Sequence, residues 1–302
     1  MEYGTIMVTV RCATYNHVDY IRQCLDGFVM QKTNFRFEAI VHDDASTDGT
    51  ADIVREYASK YPDIIKPIYE TENQYSKKDG SIRRIFNQHT RGKYIAMCEG
   101  DDYWTDPLKL QKQVDFLESH PDYVMCSHRY DEYIQDLGTL NTCTVHKDVD
   151  YDLNTLINGG WLFQTLSVMY LVSAFDENHY KQYGTSIDTV ANYELLRTGK
   201  KGRCLGQVMG VYRHHSKGVW IGIPNEIKWD WEFDVRLKIY AVEKNKDAAQ
   251  FLLMQFTRPL SRKWMLKRIK IFFKVFQILV KHFGFLYPTS VLLNKLIFSK
   301  RL

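Results

Sequence analysis

The sequence predicts an α/β protein built on a doubly wound, mostly parallel sheet. Runs of β-branched apolar residues alternate with amphipathic helical segments, and polar clusters directly follow three of those runs. Alternating strands and helices form parallel βαβ units, and such a sheet binds ligands beyond the carboxyl ends of its strands. A basic C-terminal segment predicts an appended helical tail.

The element predictions follow from hydrophobic spacing. Strands are predicted where short apolar runs are rich in β-branched or aromatic residues, at residues 6–12, 37–41, 64–69, 93–98, 163–171 and 208–215. Helices are predicted where apolar residues recur at helical spacing, at residues 18–30, 80–90, 107–119, 187–197 and 226–256. A further helix follows Thr47 or Asp48, either of which can cap it.

Charge divides the chain into two predicted parts, a domain over residues 1–250 and a basic tail over 251–302. The tail contains eleven Lys or Arg and no acidic residue, and the chain carries +4, which leaves the first 250 residues with a net charge of −7. An acidic body argues against a nucleic-acid enzyme, whose basic surface would surround the active site. The tail is the predicted contact with an anionic partner.

Cysteine usage and the N-terminus predict the compartment. The six cysteines are scattered without a C-x-x-C pair, which is typical of reduced core residues in a cytosolic protein. The first residues lead into a strand without the basic region and cleavage site of a signal peptide. We therefore expect a cytoplasmic protein.

Polar clusters follow the first, second and fourth predicted strands: Thr14-Tyr15-Asn16, Asp43-Asp44 and Glu99-Gly100-Asp101-Asp102. Three carboxylates in four residues repel one another unless a cation lies among them, and oxygen ligands suit Mg²⁺ or Mn²⁺. The alternative is a polar loop in which Asp106 caps a helix that Pro107 begins. Because three clusters meet at strand ends, a metal-diphosphate site is favoured.

Four phrases occur in order over about residues 6–220: Val8-Thr9-Val10 through Tyr15-Asn16-His17, Asp43-Asp44 through Gly49-Thr50, Gly92-Lys93-Tyr94 through Asp106-Pro107, and Tyr212-Arg213 with His215. Together they resemble the inverting family 2 glycosyltransferases of GT-A fold, especially bacterial members that build capsule or lipopolysaccharide sugars. The resemblance implies metal-dependent transfer of a hexose from a nucleotide-diphosphate sugar, by default a UDP-sugar, to a saccharide or lipid-linked saccharide hydroxyl.

The resemblance assigns the donor site residue by residue. Asp44 matches the carboxylate that accepts a hydrogen bond from uracil, although a turn or cap residue is the alternative. Tyr15 matches the aromatic whose ring packs on the base, with core filling as its alternative. Ala13, Asn16 and Asp101 complete the nucleotide-sugar site by the same resemblance.

The metal ligands are likewise implied by resemblance. Asp102 matches the direct ligand, while Asp101 or Glu99 holds the ribose or a water. The cation neutralises the departing diphosphate. His215 matches a histidine that closes over the metal or diphosphate, and the adjacent His214 leaves that assignment open.

The resemblance places the catalytic base at Asp188, in the sequence Ser186-Ile187-Asp188-Thr189. An aspartate with a pKa near its reference value of about 4 is ionised at neutral pH and can take the acceptor proton. The alternative is a helix N-terminal charge favoured by the dipole. Trp161 and Ser167 lie where acceptor contacts are expected.

Other classes fit less well. A sugar nucleotidyltransferase would need a glycine-rich basic loop after the first strand, and a dehydrogenase would need G-x-G-x-x-G there. Neither follows the first strand. A catalytically inactive sugar-nucleotide-binding protein stays open, since a fold does not establish turnover.

The tail predicts a membrane contact through residues 258–302. Residues 264–286 are apolar at helical spacing, and lysines share one face: Lys263, Lys267, Lys270, Lys274 and Lys281. Their uncharged runs are shorter than the roughly 20 residues of a spanning helix, so the segment should lie in an anionic interface. We expect a peripheral protein on the inner face of the cell membrane. The alternative is a helix packed on the catalytic domain.

Overall fold

The computed structural model describes residues 5–159, 163–185, 187–218, 223–257 and 262–298. In this part of the chain, ten strands form one sheet. The strands are β1 (Ile6–Thr14), β2 (Arg36–Asp43), β3 (Ile65–Tyr69), β4 (Tyr94–Met97), β5 (Tyr103–Trp104), β6 (Tyr123–Ile134), β7 (Thr139–Asn141), β8 (Val149–Tyr151), β9 (Met169–Leu171) and β10 (Lys201–His214).

Helices cover the sheet and form the C-terminal region. They are α1 (Ile21–Val29), α2 (Thr50–Lys60), α3 (Ser81–His89), α4 (Lys109–Ser119), α5 (Leu153–Ile157), α6 (Glu177–Gln182), α7 (Asp188–Leu196), α8 (Asn225–Glu243), α9 (Lys246–Met254), α10 (Arg262–Phe283) and α11 (Leu286–Phe298).

The strand order is β3-β2-β1-β4-β9-β6-β10-β5, with β7 beside β6 and β8 beside β10. Strands β1 to β4 are parallel, and β6 is parallel to β10, whereas β9 runs antiparallel between β4 and β6. This confirms the predicted doubly wound, mostly parallel sheet. Because β1, β2 and β4 point the same way, the polar segments that follow them meet at one edge.

Two apolar clusters hold the sheet between its helices. One joins β1 and β4 to α1, α2 and α4, and its members include Val8, Val10, Phe28 and Trp104. The other lies on the opposite face and joins β6 and β9 to α5, α7, α8 and α9. Side chains alternate between the two faces of a strand, so β1 contributes Val8 and Val10 to the first cluster and turns Arg11 to the other side.

Two predicted strands differ from the observed ones. Residues 163–171 are not one strand, because a 3₁₀ turn at Thr165–Ser167 precedes the short β9. Strand β10 begins at Lys201, well before residue 208, and glycines hide its pattern. A Cβ on Gly202 would lie 1.8 Å from the Tyr151 ring, and one on Gly210 would lie 2.6 Å from Leu166. Glycine is therefore required at these two positions, because neighbouring side chains occupy the space that a Cβ would fill.

The tail helix α10 packs on the body of the protein. Val275 and Leu279 are buried in the second apolar cluster, and the Tyr240 hydroxyl lies 2.8 Å from Nδ1 of His282. No helix in the described ranges is long and apolar enough to cross a membrane. Outside the described residues or side chains lie part of the predicted basic face and one predicted acceptor contact: Lys263, Trp264, Lys267, Lys270 and Trp161.

Candidate active site

The ends of β1 and β4 are held together by backbone contact. The Gly100 N–H donates to the Ala13 carbonyl at 2.9 Å, and a Cβ on Gly100 would lie 2.6 Å from Thr14 Oγ1. Only glycine permits this close approach. It places Asp101 beside His17, whose Nδ1 lies 3.2 Å from Thr14 Oγ1. The close approach of the two strand ends therefore depends on Gly100, which lies between Glu99 and Asp101.

One carboxylate and two imidazoles form a candidate metal centre. Asp101 Oδ2 lies 3.0 Å from His215 Nε2 and 3.9 Å from His17 Nε2, and one ligand atom from each residue lies within 4.8 Å of the others. Burial lowers the pKa of His17, so its imidazole is neutral at neutral pH. Burial acts to raise the pKa of Asp101, but the two histidines hold it below its ordinary value.

This donor set fits a divalent cation. A carboxylate and two imidazoles are metal ligands, and Mn²⁺ suits the mixture better than Mg²⁺, which prefers oxygens. No role for His17 was predicted from the sequence. Its only signal was its place in Tyr15-Asn16-His17, directly beyond a predicted strand end.

Asp102 is buried beside this centre but is held differently. Its Oδ1 accepts the Arg213 backbone N–H at 2.8 Å, and the Arg213 Nε donates to the Asp101 carbonyl. Burial and then the Asp101 charge raise the pKa of Asp102 well above its ordinary value. The candidate metal centre therefore includes Asp101, which the resemblance had assigned to the ribose or a water. A direct metal contact of Asp102 stays a prediction.

The structure separates the two adjacent histidines. His215 is 2% exposed and contacts Asp101, whereas His214 Nε2 lies 3.5 Å from the Glu132 carboxylate. Their alternation along the end of β10 turns only His215 toward the candidate metal centre. The geometry therefore favours His215 over His214 for the predicted metal contact.

Glu99 and Asp188 are two further carboxylates with raised pKa values. Burial and then the Asp101 and Asp188 charges raise the pKa of Glu99 to about 8. Asp188 begins α7, and its Oδ2 accepts a hydrogen bond from Thr165 Oγ1 at 2.8 Å. Asp188 is exposed at the surface, and partial desolvation by the neighbouring protein raises its pKa.

Asp44 is buried, with both carboxylate oxygens bonded to a loop. Oδ1 accepts the Gln74 N–H at 2.6 Å, and Oδ2 accepts the Tyr75 N–H at 3.0 Å. Asp44 therefore anchors the loop that follows β3. A nucleobase that donates to Asp44 would share the carboxylate with these two N–H groups or displace them. The neighbouring Asp43 has a buried Oδ1 without a hydrogen-bond partner among the described residues, a feature that sequence reasoning missed.

Tyr15 is 46% exposed, so it does not fill the core, and its ring is free to pack on a ligand. Asn16 instead joins two loops: its N–H donates to Ser46 Oγ, and its Oδ1 accepts the Thr47 N–H, both at 2.9 Å. The predicted acceptor residue Ser167 is fully buried, and its hydroxyl donates to the Gln164 carbonyl.

The chain is similar to known proteins along most of its length. The family model described as glycosyl transferase family 2 matches residues 9–177, more than half of the chain. The uncharacterized protein Rv1520 of Mycobacterium tuberculosis is 35% identical over 225 residues, which cover 72% of this chain and 62% of that protein. The chain thus spans less than two thirds of this relative's length.

Two further comparisons involve a named glucosyltransferase and a solved structure with a bound nucleotide sugar. The Escherichia coli protein WfaP, named as a UDP-Glc:α-D-GlcNAc-diphosphoundecaprenol β-1,3-glucosyltransferase, is 31% identical over 126 residues, which cover 42% of this chain and 47% of that protein. The structure of Staphylococcus aureus TarS residues 1–349 with UDP-GlcNAc superposes with a TM-score of 0.65 at 17% identity, covering 95% of this chain and 83% of that one. The chain belongs to glycosyl transferase family 2 and has the GT-A fold.

Proposed function

We propose that the protein is an inverting hexosyltransferase that moves a hexose from a UDP-sugar to a saccharide or lipid-linked saccharide hydroxyl. The observation that carries the proposal is the cluster of His17, Asp101 and His215 at the strand ends, where one ligand atom from each residue lies within 4.8 Å of the others. A cation held there suits a transfer in which a diphosphate leaves as a hydroxyl attacks. The name of WfaP and the TarS complex support a UDP-sugar donor.

The residues of the candidate metal centre would hold a cation that offsets the negative charge of the departing diphosphate. Asp101, His17 and His215 would hold Mn²⁺ or Mg²⁺, with Asp102 beside them, and the bound cation would act as a Lewis acid on the leaving diphosphate. The Arg213 guanidinium donates to the Asp101 carbonyl and to the side chains of Gln23 and Gln135. Arg213 thereby fixes the loop that presents the carboxylates.

Asp188 would take the proton from the acceptor hydroxyl. Its raised pKa makes it a stronger base than a fully hydrated aspartate, and the Thr165 hydroxyl orients one of its oxygens. Two other carboxylates nearby in the sequence are committed elsewhere. Asp176 caps α6 by accepting the Asn178 and His179 N–H groups, and Glu177 pairs with Arg83.

The test is a thermal-shift panel of UDP-, GDP- and CDP-sugars, with Mn²⁺ and with excess EDTA, followed by hydrolysis of any stabilising donor without acceptor. We expect a UDP-hexose to raise the melting temperature most, and free sugar to appear only with the cation. Stabilisation by a GDP- or CDP-sugar alone would overturn the UDP assignment. Undiminished turnover in EDTA would exclude the metal role, and donor binding without any turnover would favour an inactive binding protein.

We also propose peripheral association with an anionic membrane, in a pathway that builds cell-surface polysaccharide such as capsule or lipopolysaccharide. On α10, Ile269 and Phe273 are exposed beside the inward face, and Lys274 and Lys281 are exposed as well. An apolar strip flanked by cations is the composition of an interfacial helix. The packing of Val275 and Leu279 is compatible with this surface, because it uses a different face of α10.

The full chain and its Phe273→Glu variant would be sedimented with vesicles that contain anionic lipid, at low and high salt. We expect Phe273→Glu to reduce sedimentation, while Leu137→Glu, at an exposed turn between β6 and β7, leaves it unchanged. Absence of wild-type sedimentation at low salt, or equal loss in both variants, would contradict membrane association.

A further inference from the structure

A cavity of about 200 Å³ lies under the start of β4, away from the candidate active site. Its apolar walls include Ile95 and Phe175, and its polar lining includes Arg11, Asn87 and Thr90. Thr90 lies between α3 and the start of β4. The acidic residues Glu99, Asp101 and Asp102 follow the other end of that strand. We call this space the Arg11 cavity.

Arg11 brings a buried charge to the cavity. It is 4% exposed, its Nε donates to Thr90 Oγ1 at 3.0 Å, and its Nη2 donates to Thr90 Oγ1 and Asn87 Oδ1 at 2.8 Å. Both partners are neutral. Over the described ranges of the chain, no carboxylate lies within ion-pair distance of this guanidinium, and burial lowers the pKa of Arg11. A buried ion is costly unless an opposite charge accompanies it.

The carboxylate that lines the cavity is already paired. Glu177 accepts hydrogen bonds from Arg83, with 2.7 Å between Oε1 and Nη2. Arg83 is held there by two rings, since its guanidinium carbon lies 4.3 Å from the centroid of Phe175 and 4.2 Å from that of Tyr180. Arg83 and Glu177 cancel, so Arg11 leaves the group with a net charge of +1.

We propose that the Arg11 cavity binds a small oxyanion, a phosphate or carboxylate group, through the Arg11 guanidinium. A guanidinium presents donors in a planar fork that matches such oxygens. The volume holds several water molecules at roughly 30 Å³ each, and therefore also holds an oxyanion. The apolar walls reduce screening of the charge. This site is independent of the proposed sugar transfer.

The variant Asn87→Asp tests the charge argument without changing side-chain size. It places a carboxylate at the atom that accepts Arg11 Nη2, so the cavity becomes neutral without a ligand, and it also removes the hydrogen bond of the Asn87 side chain with Glu177. Arg11→Gln is a second variant, which removes the charge and keeps a hydrogen-bond donor. Asn141→Asp, on exposed β7, is the control for the same change in net charge.

Thermal unfolding of the full chain would be measured in EDTA with phosphate, glycerol phosphate or acetate, against chloride at equal ionic strength. We expect at least one oxyanion to raise the melting temperature saturably in wild type and Asn141→Asp, and to lose that effect in Asn87→Asp and Arg11→Gln. Acetate alone would indicate a carboxylate ligand, and glycerol phosphate alone a phosphate ester. No saturable shift in wild type, or an equal shift in both cavity variants, would overturn the proposal.

Discussion

The two ends of the central strands carry opposite charges that the protein itself does not balance. Beyond the ends of β1 and β4, Glu99, Asp101 and Asp102 crowd together, and the pKa of Glu99 rises to about 8. Near the start of β4, the Arg11 guanidinium is bonded to neutral partners. Burial of charge without an opposite charge is costly. We therefore expect a ligand of opposite sign at each place, a cation at the first and an oxyanion at the second.

The largest expected effect separates catalysis from binding at the acidic end. Asp188→Asn should lower kcat by about 10²- to 10⁴-fold while the UDP-sugar Kd changes little, because the base acts on the acceptor in the transition state. Steady-state kinetics and calorimetric titration of the donor measure the two effects. Asp63→Asn, at an exposed turn, is the control. Near-normal kcat in Asp188→Asn would show that the base is elsewhere.

Nucleotide binding should respond in the opposite way. Tyr15→Ala should weaken UDP binding by about 1 to 3 kcal/mol, the usual value of one aromatic stacked on a base. Asp44→Ala should weaken it too, since that change also releases the loop held by Gln74 and Tyr75. Titration of UDP measures both, with Phe285→Ala as a control for loss of an exposed aromatic. Unchanged UDP affinity in both variants would show that the uracil ring binds away from this edge of the sheet.

The pH dependence gives a smaller effect. Asp188 must be deprotonated to act as a base, so kcat falls as pH falls through its pKa, which desolvation by the neighbouring protein raises. The Thr165 hydroxyl lowers that pKa, so Thr165→Val should move the acidic limb of the kcat profile to higher pH. The plateau at higher pH should change little. An acidic limb that moves to lower pH in Thr165→Val, or that lies at the pH typical of a fully hydrated aspartate, would show that a group other than Asp188 controls the profile.

The strand-end arrangement could be predicted from the sequence because a parallel sheet brings the ends of its strands to one edge. The different surroundings of Asp101 and Asp102 could not, because the Arg213 N–H that Asp102 accepts comes from β10. His17 was missed because a histidine beyond a strand has no distinct pattern. In the sequence, Arg11 is a single basic residue within a predicted strand. Its neutral hydrogen-bond partners lie far along the chain, at the end of α3, so they could not be assigned to it.

The most direct test of the central comparison is a calorimetric titration of Mn²⁺ in the presence of UDP, on wild type, His17→Ala and Asn87→Asp. The account predicts one Mn²⁺ site in wild type, affinity at least about tenfold weaker in His17→Ala, and unchanged affinity in Asn87→Asp. Wild-type affinity in His17→Ala would contradict the cluster of His17, Asp101 and His215 as the cation site. A loss in Asn87→Asp equal to that in His17→Ala would contradict the independence of the two ends.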